Sequence, residues 1–129
     1  MLVEVSRQLQ AQQQARQDAR LTGAALANRE ALMALKNVPV YGPTDSAVIV
    51  TEFFDYQCSA CAAMAPAMEA VMAARPDVRY AFRDWTIFAG RWPASGDAAA
   101  RGLDVWRQKG AAGYMAYHSG IYRTGHDEA

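Results

Sequence analysis

The sequence predicts an α/β domain built around a strand–helix–strand unit, with a long helical arm in front of it. Three observations predict this. Residues 47–55, A-V-I-V-T-E-F-F-D, form a short, β-branched and aromatic run, which fits a strand buried on both faces. Residues 59–74 follow, dominated by Ala and Met, and read as a helix. Residues 78–83, V-R-Y-A-F-R, then alternate apolar and polar side chains as a second strand does. A unit of this kind crosses over right-handed and pairs its strands in parallel.

Composition bounds the rest. A chain of 129 residues can bury one compact core. Lys plus Arg equals Asp plus Glu, 13 of each, so charge gives no reason to expect nucleic acid or an anionic membrane as a partner. No apolar run approaches the roughly 18 residues of a membrane span. The N-terminal M-L-V-E-V-S-R-Q-L-Q lacks the apolar core of a secretory leader. If the protein is exported, its leader lies outside this sequence. The 2 cysteines are too few for a disulfide framework, and one local pair cannot close a four-thiolate zinc site.

Residues 1–36 read as the helical arm, rich in Gln, Ala, Arg and Leu. Leu2, Val5 and Leu9 start a thin apolar stripe that Ala15, Ala19, Leu26 and Leu32 continue. A helix this long with so narrow a stripe needs a partner, which is the domain body or a second copy of itself. Gly23 is the expected weak point. Residues 37–46, with Pro39, Gly42 and Pro43, read as linker and turn, and residues 47–129 as the domain. In the central helix Met64, Met68 and Met72 repeat every four residues, as a core-facing side would; a methionine copper site is the alternative. Residues 84–94 read as a loop carrying Trp85, Phe88 and Trp92. A helix over 95–109 holds Trp106, Gly110 and Gly113 break it, and residues 114–123 form a further helical segment. Trp106 is expected to cover the core; Trp85 and Trp92 either do the same or line a substrate groove. His118 reads as a packing residue and His126 as a solvated one.

The chemistry gathers at C-S-A-C, where strand gives way to helix. Cys58 falls at the helix N-terminus, whose unpaired N–H groups and partial positive charge favour a thiolate. Such positions bring a thiol from about 8.5 down to about 3.5–7.5. Cys61 lies one turn further in and more buried, so it is expected to stay protonated until it attacks a mixed disulfide. The pair has three readings: a redox couple, a copper or zinc site shared between protomers, or buried small residues. The strand–C-x-x-C–helix context points to the first. Glu52, an acid inside an apolar strand, is expected to have a raised pKa and to relay a proton to or from Cys61. Its alternative is an ion pair with Arg79 or Arg83. Tyr56, Gln57, Ser59 and Ala60 flank the thiols and are candidates for substrate contact, and Asp55 is a candidate cap for the turn.

V-T-E-F-F-D-Y-Q-C-S-A-C-A-A-M-A-P resembles the active-site region of DsbA-like proteins of the thioredoxin superfamily. The branch it is most similar to includes ScsC-type and outer-membrane-associated DsbA-like proteins. P-V-Y-G before the strand, P-D-V-R-Y-A-F-R-D-W after the helix and Y-M-A-Y-H-S-G-I-Y near the end resemble that branch too. The resemblance implies a thioredoxin-like α/β fold with inserted helices and thiol–disulfide exchange on exported proteins, by oxidation or isomerisation. It makes Cys58 the attacking thiol, Cys61 the resolving thiol and Glu52 the buried acid. It implies a periplasmic location, a membrane redox partner, homo-oligomers through the N-terminal helix, and no cofactor beyond the Cys58–Cys61 disulfide. The Ser59-Ala60 dipeptide departs from the histidine-containing members, so a weaker oxidant is expected. The family's C-terminal strands and cis-proline loop are not visible after Arg123, so a truncated domain, or chains that complete one another, is expected. A metal-binding module and a non-catalytic assembly domain are the other function classes open at this point.

Overall fold

The computed structural model describes residues 1–124. His126 lies outside them. The chain divides into two compact units, Met1–Ala34 and Leu35–Ala129.

The first unit is helical. α1 (Leu2–Ala27) runs straight through Gly23 and ends at Asn28, with α2 (Arg29–Met33) following. The break belongs to Asn28 rather than Gly23. Its side-chain amide donates to the Ala24 carbonyl at 2.8 Å, competing with helix continuation. No residue of α1 is buried, and Leu2, Leu9 and Leu26 remain 87%, 54% and 66% exposed.

The second unit contains β1 (Val40–Tyr41), β2 (Ile49–Phe54), α3 (Ser59–Ala74), β3 (Arg79–Asp84) and α4 (Ala94–Arg123). The sheet has 3 strands in the order β1-β3-β2. β2 and β3 are parallel, with Glu52 opposite Phe82 and Phe54 opposite Asp84, so the strand–helix–strand unit is present. β1 lies in the segment read as a linker. It pairs antiparallel with β3, and the buried Pro39 before it accepts from the Phe82 N–H at 2.9 Å through its carbonyl. Pro39 needs no ladder donor at the start of a strand. Gly42 closes this strand with φ 112°, and a Cβ there would run into the Val78 carbonyl oxygen. Two requirements, the backbone conformation and the close approach, therefore coincide on glycine.

β2 was expected to be buried on both faces, and it is not. It is the edge strand of the described sheet, and Val50 and Phe53 are 38% and 51% exposed. The alternate residues Glu52, Phe54, Tyr80 and Phe82 face α3 and the second half of α4. There Phe54, Phe82, Met72, Tyr56 and Tyr114 form the core. The methionine stripe bears out only in part. Met72 is buried and Met68 half-buried, but Met64 is 56% exposed. A four-residue step overshoots one helical turn by about 40°, so a strict i, i+4, i+8 row winds off the core within two steps. Pro66 sits inside α3 and removes one i→i−4 bond.

α4 is broken at Gly110 (φ 69°, ψ −158°), as the sequence predicts, while Gly113 continues the helix. The break lets residues 111–123 turn back across the core. Trp106 packs half-buried beside Tyr114, their ring centroids 6.4 Å apart. Among the described residues no helix is long and apolar enough to cross a membrane.

Candidate active site

β2 ends at Phe54, and residues 55–58 turn the chain into α3. Cys58 is the N-cap of that helix, with φ −83° and ψ 118°. Its Sγ accepts the Cys61 N–H at 3.4 Å, doing with sulfur what a Ser or Asp oxygen does at other helix starts. A negative sulfur here meets the free N–H groups and the positive end of α3.

The turn is held by Asp55, which is 2% exposed. Its Oδ1 accepts the Gln57 N–H at 2.9 Å. Its Oδ2 accepts the Phe88 N–H at 3.1 Å and the Ser95 hydroxyl at 2.7 Å. Its carbonyl accepts the Cys58 N–H at 3.0 Å and the Tyr122 hydroxyl at 3.3 Å. One residue thus ties the turn to the 85–93 loop and to both ends of α4. Asp55 caps the turn itself, while Cys58 caps the helix.

Burial pushes the Cys61 thiol above the ordinary range. A backbone hydrogen bond from Asp55 works against this, and Cys58 and Glu52 add to it. Glu52 faces the same interior. Burial raises its carboxyl, and its Oε2 has no hydrogen-bond partner among the described residues. The sheet register places Arg79 and Arg83 opposite Ile49 and Phe53, on the face away from Glu52. Glu52 instead borders a cavity of about 10 Å³ with Met68, Met72, Phe82, Met115 and His118. That is room for about one water molecule.

Behind the turn lies an aromatic cluster. Tyr56 Oη is 2.9 Å from His118 Nδ1 and 3.4 Å from the Tyr114 hydroxyl. His118 packs between Phe54 and Phe82, with centroids at 4.7 and 5.0 Å. Burial drives His118 down to about 4, so the ring is neutral near pH 7 and serves packing, as read from the sequence. Tyr56 and Gln57, candidates for substrate contact, are only 1% and 5% exposed. Tyr56 packs in the core cluster, and the Gln57 side chain is buried beside Cys58. Ser59 and Ala60 are exposed beside the thiols, and Trp85 is 63% exposed just beyond β3. Among the described residues no group of three or more His, Cys, Asp and Glu side chains is arranged to hold a metal ion.

Sequence reasoning missed the full reach of Asp55 and the roles of Tyr114, Tyr122 and Ser95. Residues 114, 118 and 122 repeat every four positions, and that spacing was the available signal for the helix face that meets the turn.

The matching family model, described as thioredoxin, covers residues 34–124. The chain belongs to the thioredoxin family. BcfH of Salmonella enterica Typhimurium is 41% identical over 96% of this chain and 50% of its own, with a TM-score of 0.84. Two further structures share the fold at 23% identity. The catalytic domain of Proteus mirabilis ScsC is matched over 81% of this chain and 57% of its own, with a TM-score of 0.70. The thiol-disulfide exchange protein alpha-DsbA2 from Wolbachia pipientis is matched over 87% of this chain and 57% of its own, with a TM-score of 0.76. The thioredoxin-like chain therefore spans about half the length of these structures. No curated protein matches it.

A second buried acid sits at the end of β3. Burial, with the Asp55 charge adding to it, raises Asp84 to about 6, and its Oδ1 has no hydrogen-bond partner among the described residues. A carboxyl raised on folding stabilises the protein below its unfolded pKa, and that contribution is lost as pH rises through the folded value. Asp84→Asn is therefore expected to match wild type in urea unfolding near pH 3. It should be more stable by roughly 1–2 kcal/mol above pH 6.5, once solvent screening is discounted.

Proposed function

We propose that this domain performs thiol–disulfide exchange on protein substrates through Cys58 and Cys61. The observation that carries the reading is the placement of the Cys58 sulfur as the N-cap of α3, accepting the Cys61 N–H. That placement sets the Cys58 sulfur against the free N–H groups at the positive end of α3, the setting in which cysteines act as nucleophiles. Burial favours the protonated thiol at Cys61.

In the reducing direction, the Cys58 thiolate attacks one sulfur of a substrate disulfide. A Cys58–substrate bond forms, the substrate S–S bond breaks, and one substrate sulfur leaves as thiolate. Cys61 then gives up its proton, attacks the Cys58 sulfur and releases the second substrate thiolate. The protein is left with the Cys58–Cys61 disulfide, having given up two electrons. In the oxidising direction a substrate thiolate attacks that disulfide and the steps reverse. Glu52, whose pKa burial raises, takes the Cys61 proton when it is in its carboxylate form and gives it back in the reverse direction from its protonated form. Exposed Ser59 and Ala60 form the surface met by the incoming chain.

The resemblance to DsbA-like proteins supports exported substrates, a periplasmic setting and a membrane redox partner. Residues 1–36 serve as an oligomerisation arm, 37–46 lead from it into the exchange domain and contribute β1 to its sheet, and 47–129 carry the thiols. The exposed Leu2, Val5 and Leu9 support self-association of the arm.

Two measurements test the reading. Insulin reduction with dithiothreitol, beside refolding of scrambled ribonuclease, should show turnover by wild type and none by Cys58→Ser. Cys61→Ser should accumulate a covalent substrate adduct at Cys58. A folded wild-type protein that turns over neither substrate would contradict exchange. By light scattering, the full chain should run as an oligomer and a chain lacking residues 1–34 as a monomer. An unchanged mass after that deletion would remove the arm's role.

A further inference from the structure

We propose that Tyr122 is a positioning residue for the thiol pair: the second half of α4 brings its hydroxyl to the Asp55 carbonyl that also receives the Cys58 N–H. The proposal rests on the exchange reading above.

A carbonyl oxygen has two acceptor directions. At Asp55, Cys58 N–H fills one at 3.0 Å and Tyr122 fills the other at 3.3 Å. Because the Asp55 carboxylate is anchored separately to Gln57, Phe88 and Ser95, the peptide that presents Cys58 is gripped from both sides. The ring of Tyr122 is itself fixed. It lies 5.4 Å from Tyr56 and 5.2 Å from His118, both buried, so the hydroxyl has little freedom to leave the turn.

The hydroxyl also feels the site. Burial raises its pKa first, and Cys61, Glu52 and Cys58 raise it further. Its proton is turned to the Asp55 carbonyl, so Tyr122 acts on the pair through the turn: holding the Asp55–Cys58 hydrogen bond keeps the Cys58 Sγ on the Cys61 N–H at the start of α3, a donor of most use to the anionic sulfur that exists only in the dithiol form. Tyr122 therefore tilts the couple towards the reduced state and makes the disulfide a stronger oxidant.

The test is equilibrium with glutathione. Two glutathione thiols reduce the Cys58–Cys61 bond, the protein gains two electrons and two protons, and glutathione disulfide forms. Tyr122→Phe removes only the hydroxyl, and the equilibrium constant for protein reduction should fall roughly 3- to 10-fold, the effect of one hydrogen bond. Tyr117→Phe is the comparison. It deletes a hydroxyl on the same helix that donates to the Ala98 carbonyl at 2.6 Å, and should change the constant by less than about twofold. Near-ultraviolet dichroism reports whether each variant packs. Placing 4-aminophenylalanine at Tyr122 restores a donor and should return the constant towards wild type, which decides the matter even if the Phe variant loosens.

Equal constants for wild type and Tyr122→Phe, or no rescue by the amino variant, overturn the positioning role alone. A wild-type protein whose cysteines stay as thiols at every glutathione ratio overturns the exchange reading itself.

Discussion

The structure of this domain depends on one buried carboxylate. Asp55 sits where β2 ends, and an unpaired acid at 2% exposure would be costly. It is instead fully used, accepting two backbone N–H groups and the Ser95 hydroxyl. Hydrogen bonds to a charged acceptor are the stronger kind, and here they join segments far apart in sequence. The turn that presents Cys58, the 85–93 loop and the start of α4 are fixed relative to one another through this side chain. Its carbonyl then fixes Cys58 and the end of α4. The sulfur is held at the helix start because the residue three before it cannot move.

Other buried polar groups are left less comfortable. Glu52 and Asp84 each have a carboxyl oxygen without a hydrogen bond among the described residues, and burial favours the neutral form of both. In the proposed exchange Glu52 has a use, since an acid that holds its proton readily can return it to Cys61. His118 is the opposite case, a base kept neutral by burial among aromatic neighbours. Its contribution is present above its unfolded pKa of about 6.5 and is lost as pH falls from there towards about 4. The domain is thus stabilised by His118 and strained by Asp84 as pH rises over much the same range.

Much of this was legible in the sequence, for identifiable reasons. The strand–helix–strand order followed from local composition, and Gly110 was legible as a break because glycine is a poor helix residue, although Gly113, read the same way, continues the helix. The cysteine pair was legible because its spacing and its place after an apolar strand carry their own chemistry. Burial was less legible. Two-residue alternation puts Glu52, Phe54 and Tyr56 on one nominal side, yet it does not say that Tyr56 is sealed beneath α4 by His118 and Tyr114. β1 was hidden because two residues between Pro39 and Gly42 look like a turn until β3 supplies their partners. The exposure of β2 depends on strand order, which no single segment encodes.

The central claim is that the two thiols differ, Cys58 being the nucleophile and Cys61 the resolver. Timed alkylation of the reduced protein at neutral pH, with peptide mass spectrometry to assign each site, tests it most directly. The account predicts Cys58 modified about tenfold faster than Cys61, or more, because the thiolate is the reacting species. Equal rates, or faster modification of Cys61, would contradict it.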